Sequence, residues 1–195
     1  ATDPVGDAAA RRASGLLQKY HGRALLITTG ACAVHCRYCF RRHFPYRADS
    51  AQRDRFAGAL SALAAAPDID EVILSGGDPL MLDDETLATL IAALARQPGL
   101  KRLRLHTRLP VVLPSRITEP LCALLADCPL PLVIVVHANH PAELGDDAAQ
   151  ALGRLAQLGG TLLNQSVLLR GVNADAATLA ALSEALFEER VLPYY

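Results

Sequence analysis

Ala24-Leu25-Leu26-Ile27-Thr28-Thr29-Gly30-Ala31-Cys32-Ala33-Val34-His35-Cys36-Arg37-Tyr38-Cys39-Phe40 decides how this chain is read. Leu25 to Thr28 predicts a strand, and it opens directly into a loop with thiols spaced C-x3-C-x2-C. Three thiolates can hold three irons of a cubane cluster, whereas most such clusters take four cysteines. The missing ligand leaves one iron open to a substrate or cofactor, as a catalytic zinc keeps an open position. The same spacing also admits a structural zinc site completed by His35 or His43. Zinc sites usually come as paired Cys/His clusters, and no second pair lies at a suitable distance. Cys122 and Cys128 fall in an apolar helix and its exit, where a free thiol packs as a small hydrophobe. On spacing alone both readings stand.

Outward from this stretch, strand and helix alternate. Before it, residues 1–20 are an Ala-rich arm in which Ala8 to Leu17 predicts a turn or two of helix. After it, Arg53 to Ala65 has helical spacing, with Phe56, Leu60 and Leu63 on one side. Glu71 to Ser75 predicts a strand and Asp83 to Ala95 a helix with acids at its positive end. Arg102 to His106 predicts the next strand, followed by a loop from Thr107. Thr118 caps a helix to Leu125. Leu132 to Val136 is a continuous apolar run, as in a parallel strand buried on both faces. Asp146 to Leu158 is a helix stopped by Gly159-Gly160. Thr161 to Leu163 is a strand, Asn173 or Asp175 opens a helix to about Glu189, and Val191 to Tyr195 starts a sixth strand. This is the βαβ pattern of a parallel sheet. A closed barrel needs eight units and about 250 residues, so 195 residues predict an open one: an α/β fold, a partial (β/α)6 TIM-like barrel over 21–195.

Composition sets outer bounds. Hydrophobic content of 51% supplies a packed core, and a net charge of -1 gives no basis for nucleic-acid or membrane binding. There is no secretory h-region and no apolar run long enough to span a bilayer. Five cysteines, an odd and clustered set, argue against a disulfide framework and for a reducing compartment, so the chain reads as cytoplasmic. Lysine is nearly absent, with only Lys19 and Lys101 against seventeen arginines. The first residue is not Met and the chain stops as a strand begins, so a piece of a longer protein is expected.

Sites in parallel β/α folds gather at the C-terminal ends of strands, and here those ends are polar. They carry Cys32, Cys36 and Cys39; Ser75-Gly76-Gly77-Asp78; His106-Thr107-Arg108; His137, Asn139 and His140; and Asn164-Gln165-Ser166. Gly76-Gly77 permits close approach of backbone to a ligand and equally suits a tight turn. His137 and His140 suit metal ligation or ordinary hydrogen bonding. Gln165 offers both a donor and an acceptor. Arg108 is a pocket residue or a solvated rim charge. Tyr20 and Arg23, before the first strand, form an anion site or an exposed basic patch.

The cysteine spacing, with Tyr38 just before the third thiol and a β/α strand before the first, resembles the signature of the radical S-adenosyl-L-methionine (SAM) enzymes. The flanks Lys19-Tyr20-His21-Gly22-Arg23 and Cys39-Phe40-Arg41-Arg42-His43-Phe44-Pro45-Tyr46 resemble the lysine 2,3-aminomutases. They are most similar to the branch forming (R)-β-lysine for modification of elongation factor P. The resemblance implies a [4Fe-4S] cluster on Cys32, Cys36 and Cys39, with SAM on its open iron. It implies SAM contacts from Tyr38, Ser75, Gly76, Gly77 and Asp78, the last holding the methionine amino group, and from Thr107, His137 and Gln165. It implies pyridoxal 5′-phosphate (PLP) gripped through its phosphate by Tyr20 and Arg23, and the substrate lysine carboxylate paired with Arg41.

The implied reaction converts L-α-lysine to (R)-β-lysine by 5′-deoxyadenosyl radical and PLP chemistry, with an external electron donor. The family's PLP lysine and the carboxylates for the substrate's far ammonium lie beyond the point matching Tyr195. These residues alone are therefore expected to hold cluster and SAM without moving the amino group. Two alternatives remain: a radical SAM enzyme without PLP, and a zinc-stabilised binding module. A phosphate-sized pocket among Tyr20, Arg23 and Arg41 separates the first from the PLP reading.

Overall fold

A computed structural model describes residues 3–194. They form two compact units. One runs to Leu105 and takes in Pro129–Pro131; the other comprises His106–Cys128 and the chain from Leu132 onward.

In the first unit the strands lie in sequence order: β1 (Arg11–Ala13), β2 (Leu16–Tyr20), β3 (Arg23–Thr29), β4 (Glu71–Gly76) and β5 (Arg102–Thr107), whose last two residues enter the second unit. β1, β2 and β3 pair antiparallel, while β3, β4 and β5 run parallel. Between β3 and β4 lies α1 (Ala57–Ala64), and between β4 and β5 lies α2 (Asp84–Ala95). Asp83 caps α2, accepting from the Thr86 N–H at 2.7 Å, the arrangement its sequence predicts.

Strand register sorts the side chains into two faces, because successive residues alternate. Ala24, Leu26, Val72, Leu74, Leu103 and Leu105 share one face and are wholly buried. The other face carries Arg23, Leu25 and Ile27 of β3, Glu71, Ile73 and Ser75 of β4, and Arg102 and Arg104 of β5. A polar face is thus built into the centre of this sheet. At its lower edge Glu71 is fully buried and meets Arg23 at 3.1 Å, Arg102 at 3.1 Å and Arg104 at 3.2 Å, joining three neighbouring strands.

In the second unit the order is α3 (Leu109–Val112), α4 (Glu119–Ala126), β6 (Leu132–Val136), α5 (Asp146–Ala156), β7 (Thr161–Asn164), α6 (Ala176–Glu188) and β8 (Leu192–Pro193). β6, β7 and β8 pair parallel in sequence order. Thr118 caps α4 and Asp175 caps α6.

Three expectations are corrected. The helical turn expected over Ala8–Leu17 is instead β1 and part of β2. Gly15 takes φ +67 between them, a helix-breaking conformation, and its carbonyl accepts from Ile27 at 2.7 Å. Leu16 and Leu17 are buried by pairing with β3, so tertiary contact overrides alanine propensity. The helix expected from Arg53 begins at Ala57, because Arg55 and Phe56 take positive φ after a single 3-10 turn. The loop expected after Thr107 contains the helical turn α3. The sixth strand is two residues long within the described part, and Tyr195 lies outside it.

Candidate functional site

β3 ends at Thr29, and the chain turns at Gly30 into the cysteine loop. A Cβ on Gly30 would press into the Tyr46 ring, so the turn carrying Tyr46 closes directly over that glycine. Tyr46 then donates its hydroxyl to the Gly76 carbonyl at 2.9 Å. Burial holds its phenol well above the ordinary range, so it stays a donor. Nothing in the spacing of the sequence marked Tyr46; its role depends on a contact thirty residues away.

The end of β4 docks on the same loop through backbone. The Gly77 N–H donates to the Thr29 carbonyl at 2.7 Å and the Asp78 N–H to the Ala31 carbonyl at 2.8 Å. A Cβ on Gly77 would collide with the Ala31 carbonyl, and Gly76 takes φ +116. The two glycines are therefore required by close approach of one protein segment to another. Asp78 is buried, and its carboxylate accepts from the Leu80 N–H at 3.1 Å to cap the following turn.

Cys32, Cys36 and Cys39 are half-buried and reduced. Burial pushes the Cys32 thiol up to about 11, with further push from Asp78, Cys39 and Cys36. Cys32 thus lies within the field of Asp78 and the other two thiols, and a cation beside it would act in the opposite sense. His35 and His43 are exposed. Among the described residues no three His, Cys, Asp or Glu side chains converge on one ion. Were a [4Fe-4S] cluster bound, Cys32, Cys36 and Cys39 would be the residues to hold it.

Arg41 turns back from the loop onto the polar face. Its side chain is 7% exposed; Nε donates to Asp7 Oδ2 at 2.8 Å and Nη1 to Ser75 Oγ at 3.3 Å, and it lies over the Phe40 ring at 4.7 Å. Tyr20 and Arg23 face each other across β2 and β3 at the start of β3. The cysteine loop is at its other end, roughly 20 Å away along seven residues. Tyr20 is exposed and Arg23 half-exposed, its Nε on Glu71. The groove beside them is open and lined by Arg12, Gln18, Lys19, Tyr20, His21 and Asp68. Tyr20, Arg23 and Arg41 do not enclose a single phosphate-sized pocket. They mark two levels of one face, so the pocket expected to set the PLP reading apart from a radical SAM enzyme without PLP is not formed by these three residues.

In the second unit, His137 follows β6. Its Nε2 is buried without a hydrogen-bond partner, and its ring meets the His106 ring edge-on at 5.5 Å. Burial, then the Arg108 charge, lowers it to about 4, so it is neutral at physiological pH. Arg108 pairs with Glu143 at 2.8 Å, whose other oxygen accepts the Asn139 N–H at 3.2 Å. His140 caps the turn Pro141–Glu143 through Nδ1, an ordinary structural use. Thr107 is buried, and its hydroxyl accepts from the Leu109 N–H at 3.1 Å. Gln165 is fixed by its N–H to the Val136 carbonyl at 2.9 Å, leaving its side chain half-buried.

Three buried asparagines, Asn139, Asn164 and Asn173, tie these strand-end loops together. Asn164 exchanges hydrogen bonds with both backbone groups of Ala138, at 2.8 and 3.1 Å. Asn173 donates to the Asn139 carbonyl at 2.7 Å and accepts from Leu169 at 2.6 Å. Asn139 accepts from Val167 at 2.7 Å. Loop-initiating Asn is a weak sequence signal, so only their burial identifies them as framework.

A thiol triad at the end of the first parallel strand, with a Gly-Gly-Asp segment docked beside it, agrees with the comparison to known families: residues 26–180 match the model of the radical SAM superfamily. The chain belongs to the radical SAM superfamily. Its fold class is accordingly the α/β partial TIM-like barrel of that superfamily. Among its relatives, the L-lysine 2,3-aminomutase of Escherichia coli is 53% identical over 181 residues, covering 93% of this chain and 53% of the relative. That of Haemophilus influenzae is 51% identical over 194 residues, covering 100% and 57%. A glutamate 2,3-aminomutase from Clostridioides difficile is 34% identical over 194 residues, covering 99% and 46%. The chain spans about half the length of these curated relatives.

Membership implies a [4Fe-4S] cluster and SAM, and the aminomutase relatives imply PLP. The residues fit the first two. Cys32, Cys36 and Cys39 are all free, half-buried thiols, and His137 Nε2 is buried with no hydrogen-bond partner among the described residues. For PLP the fit is partial. Arg23 and Tyr20 can meet a phosphate, but neither lysine stands at the C-terminal end of a parallel strand: Lys19 lies in β2, which runs antiparallel to β3. Lys19 is paired with Asp7 at 2.6 Å, and Lys101, before β5, with Asp70 at 3.6 Å. Among the described residues no helix is long and apolar enough to cross a membrane.

Proposed function

We propose that these residues are the cluster- and SAM-binding part of an L-lysine 2,3-aminomutase that forms (R)-β-lysine for modification of elongation factor P. The observation that carries the proposal is the segment leading into the cysteine loop, docked through the Thr29 and Ala31 carbonyls on the Gly77 and Asp78 N–H groups, in a chain 53% identical to an enzyme of that name. When bound, cluster, SAM and PLP supply radical hydrogen abstraction and 2,3-amino migration. The chain's residues supply placement. Cys32, Cys36 and Cys39 hold the cluster; Tyr38, Ser75, Gly76, Gly77 and Asp78 border SAM's amino-acid end. Thr107, His137 and Gln165 take its nucleoside end, His137 as a neutral acceptor. Tyr20 and Arg23 take the PLP phosphate at the opposite end of β3.

Arg41 takes the substrate carboxylate. Lysine and glutamate, the substrates in the relatives' names, share that α-carboxylate and differ at the far end, which residues outside this chain would read. We assign residues 1–20 to an arm and 21–195 to the barrel, an external electron donor, and a cytoplasmic setting. Anaerobic reconstitution tests the reading: about four irons and four sulfides per chain are expected, with SAM bound. One zinc per chain, or iron without SAM binding, rejects it.

A further inference from the structure

Asp7 comes from the arm, thirty-four positions before Arg41, and is 2% exposed. It is held by its own turn: the Asp7 and Ala8 N–H groups donate to Asp3 at 2.8 and 3.0 Å. Its carboxylate receives two cations, Arg41 Nε at 2.8 Å and Lys19 Nζ at 2.6 Å. Lys19 also donates to the Val5 carbonyl at 2.6 Å, and its side chain is 29% exposed.

Two consequences follow from the charges. An arginine paired with one buried carboxylate is a neutral unit, and a neutral unit is a poor receptor for an anion. A second cation on the same carboxylate restores a net charge of one to the group, so Arg41 keeps its attraction for a further carboxylate. The hydrogen bond at Nε also fixes the plane of the guanidinium, with Nη1 turned to Ser75 at the end of β4. Here Arg41's side chain is already ordered, so an incoming anion does not bear that entropic cost.

We propose that Asp7 and Lys19 are positioning residues for an amino-acid carboxylate site on Arg41: Asp7 sets the guanidinium, and Lys19 offsets the charge of Asp7. The inference rests on the assignment of Arg41 to the substrate carboxylate. SAM carries the same chemical group, so the test must separate the two sources.

The substitutions are Lys19→Gln, Lys19→Met and Lys19→Arg, with Arg41→Lys as reference, in the full-length polypeptide that carries these residues, fully reconstituted. The readouts are lysine KM and kcat, equilibrium dialysis of L-lysine, SAM affinity, and thermal melting to verify folding. Lys19→Gln and Lys19→Met are expected to raise lysine KM and Kd roughly five- to tenfold. They leave kcat within about twofold and SAM affinity unchanged. Lys19→Arg restores lysine binding, which also excludes an imine at this position. A purely structural role would lower melting temperature without this split. If Arg41→Lys weakens lysine binding while folded Lys19→Gln and Lys19→Met do not, the inference fails and the Arg41 assignment stands. If Arg41→Lys also leaves lysine binding unchanged, the carboxylate assignment itself fails. A loss confined to SAM overturns the substrate site.

Discussion

His137 shows how burial sets chemistry at a single residue. Its ordinary value is 6.5, and burial with Arg108 nearby lowers it to about 4 in the folded chain. Between those values the unfolded chain holds a proton that the folded chain does not. Stability therefore rises with pH through this window, is complete above about 6.5, and is lost as pH falls toward 4. The loss between pH 7 and pH 5 amounts to about 2 kcal/mol. In His137→Gln that contribution disappears. Urea denaturation at pH 7 and pH 5 is expected to show the wild-type midpoint falling further than the variant's. Equal falls would show that His137 is not buried as a neutral ring. The residue's position at a strand end was legible in sequence; its charge state was not, because that depends first on burial and then on Arg108, which follows β5. Asp7 was illegible for the same reason. Among the alanines of the arm it reads as a solvated acid, and only the fold brings Arg41 and Lys19 onto it.

At the scale of elements, local signals worked where they were local. Asp83, Thr118 and Asp175 each cap the helix they precede, and the apolar run Leu132–Val136 is a strand. They failed at β1 and β2, where pairing with β3 overrode composition, and at Arg55 and Phe56, where positive φ delays α1. The loops after β6 and β7 are likewise set by partners distant in sequence. Asn173 satisfies the buried Asn139 carbonyl and the part-buried Leu169 N–H and Val167 carbonyl. Asn173→Ala is expected to cost about 2–3 kcal/mol in denaturant unfolding. It should also speed hydrogen exchange at the Leu169 amide, with the Ile73 and Leu74 amides in the other unit unaffected. A shift below about 0.5 kcal/mol would show that these loops do not depend on the asparagine.

At the scale of the whole molecule the question is what 195 residues can do by themselves. The residues proposed to hold a cluster and SAM, from Cys32 to Gln165, lie within them. A lysine placed for a PLP imine does not. An imine needs a lysine near the site, and the chain's two lysines are elsewhere. Lys19 is committed to Asp7 and the Val5 carbonyl, and Lys101 to Asp70 at the start of β5. The relatives are nearly twice as long, with room for such a lysine and for acids facing the substrate's far ammonium. The 195-residue polypeptide, reconstituted anaerobically and supplied with SAM, PLP, reductant and L-lysine, is therefore expected to bind SAM. That binding is read as a change in the electron paramagnetic resonance of the reduced cluster. The same mixture is expected to yield no β-lysine by chromatographic amino-acid analysis. The two readouts divide the alternatives. β-lysine in the mixture would mean that the amino group is held without a lysine imine, or that Lys19 leaves Asp7 to form one. An unchanged cluster spectrum would instead place SAM binding, and not only amino migration, under the control of residues beyond these 195.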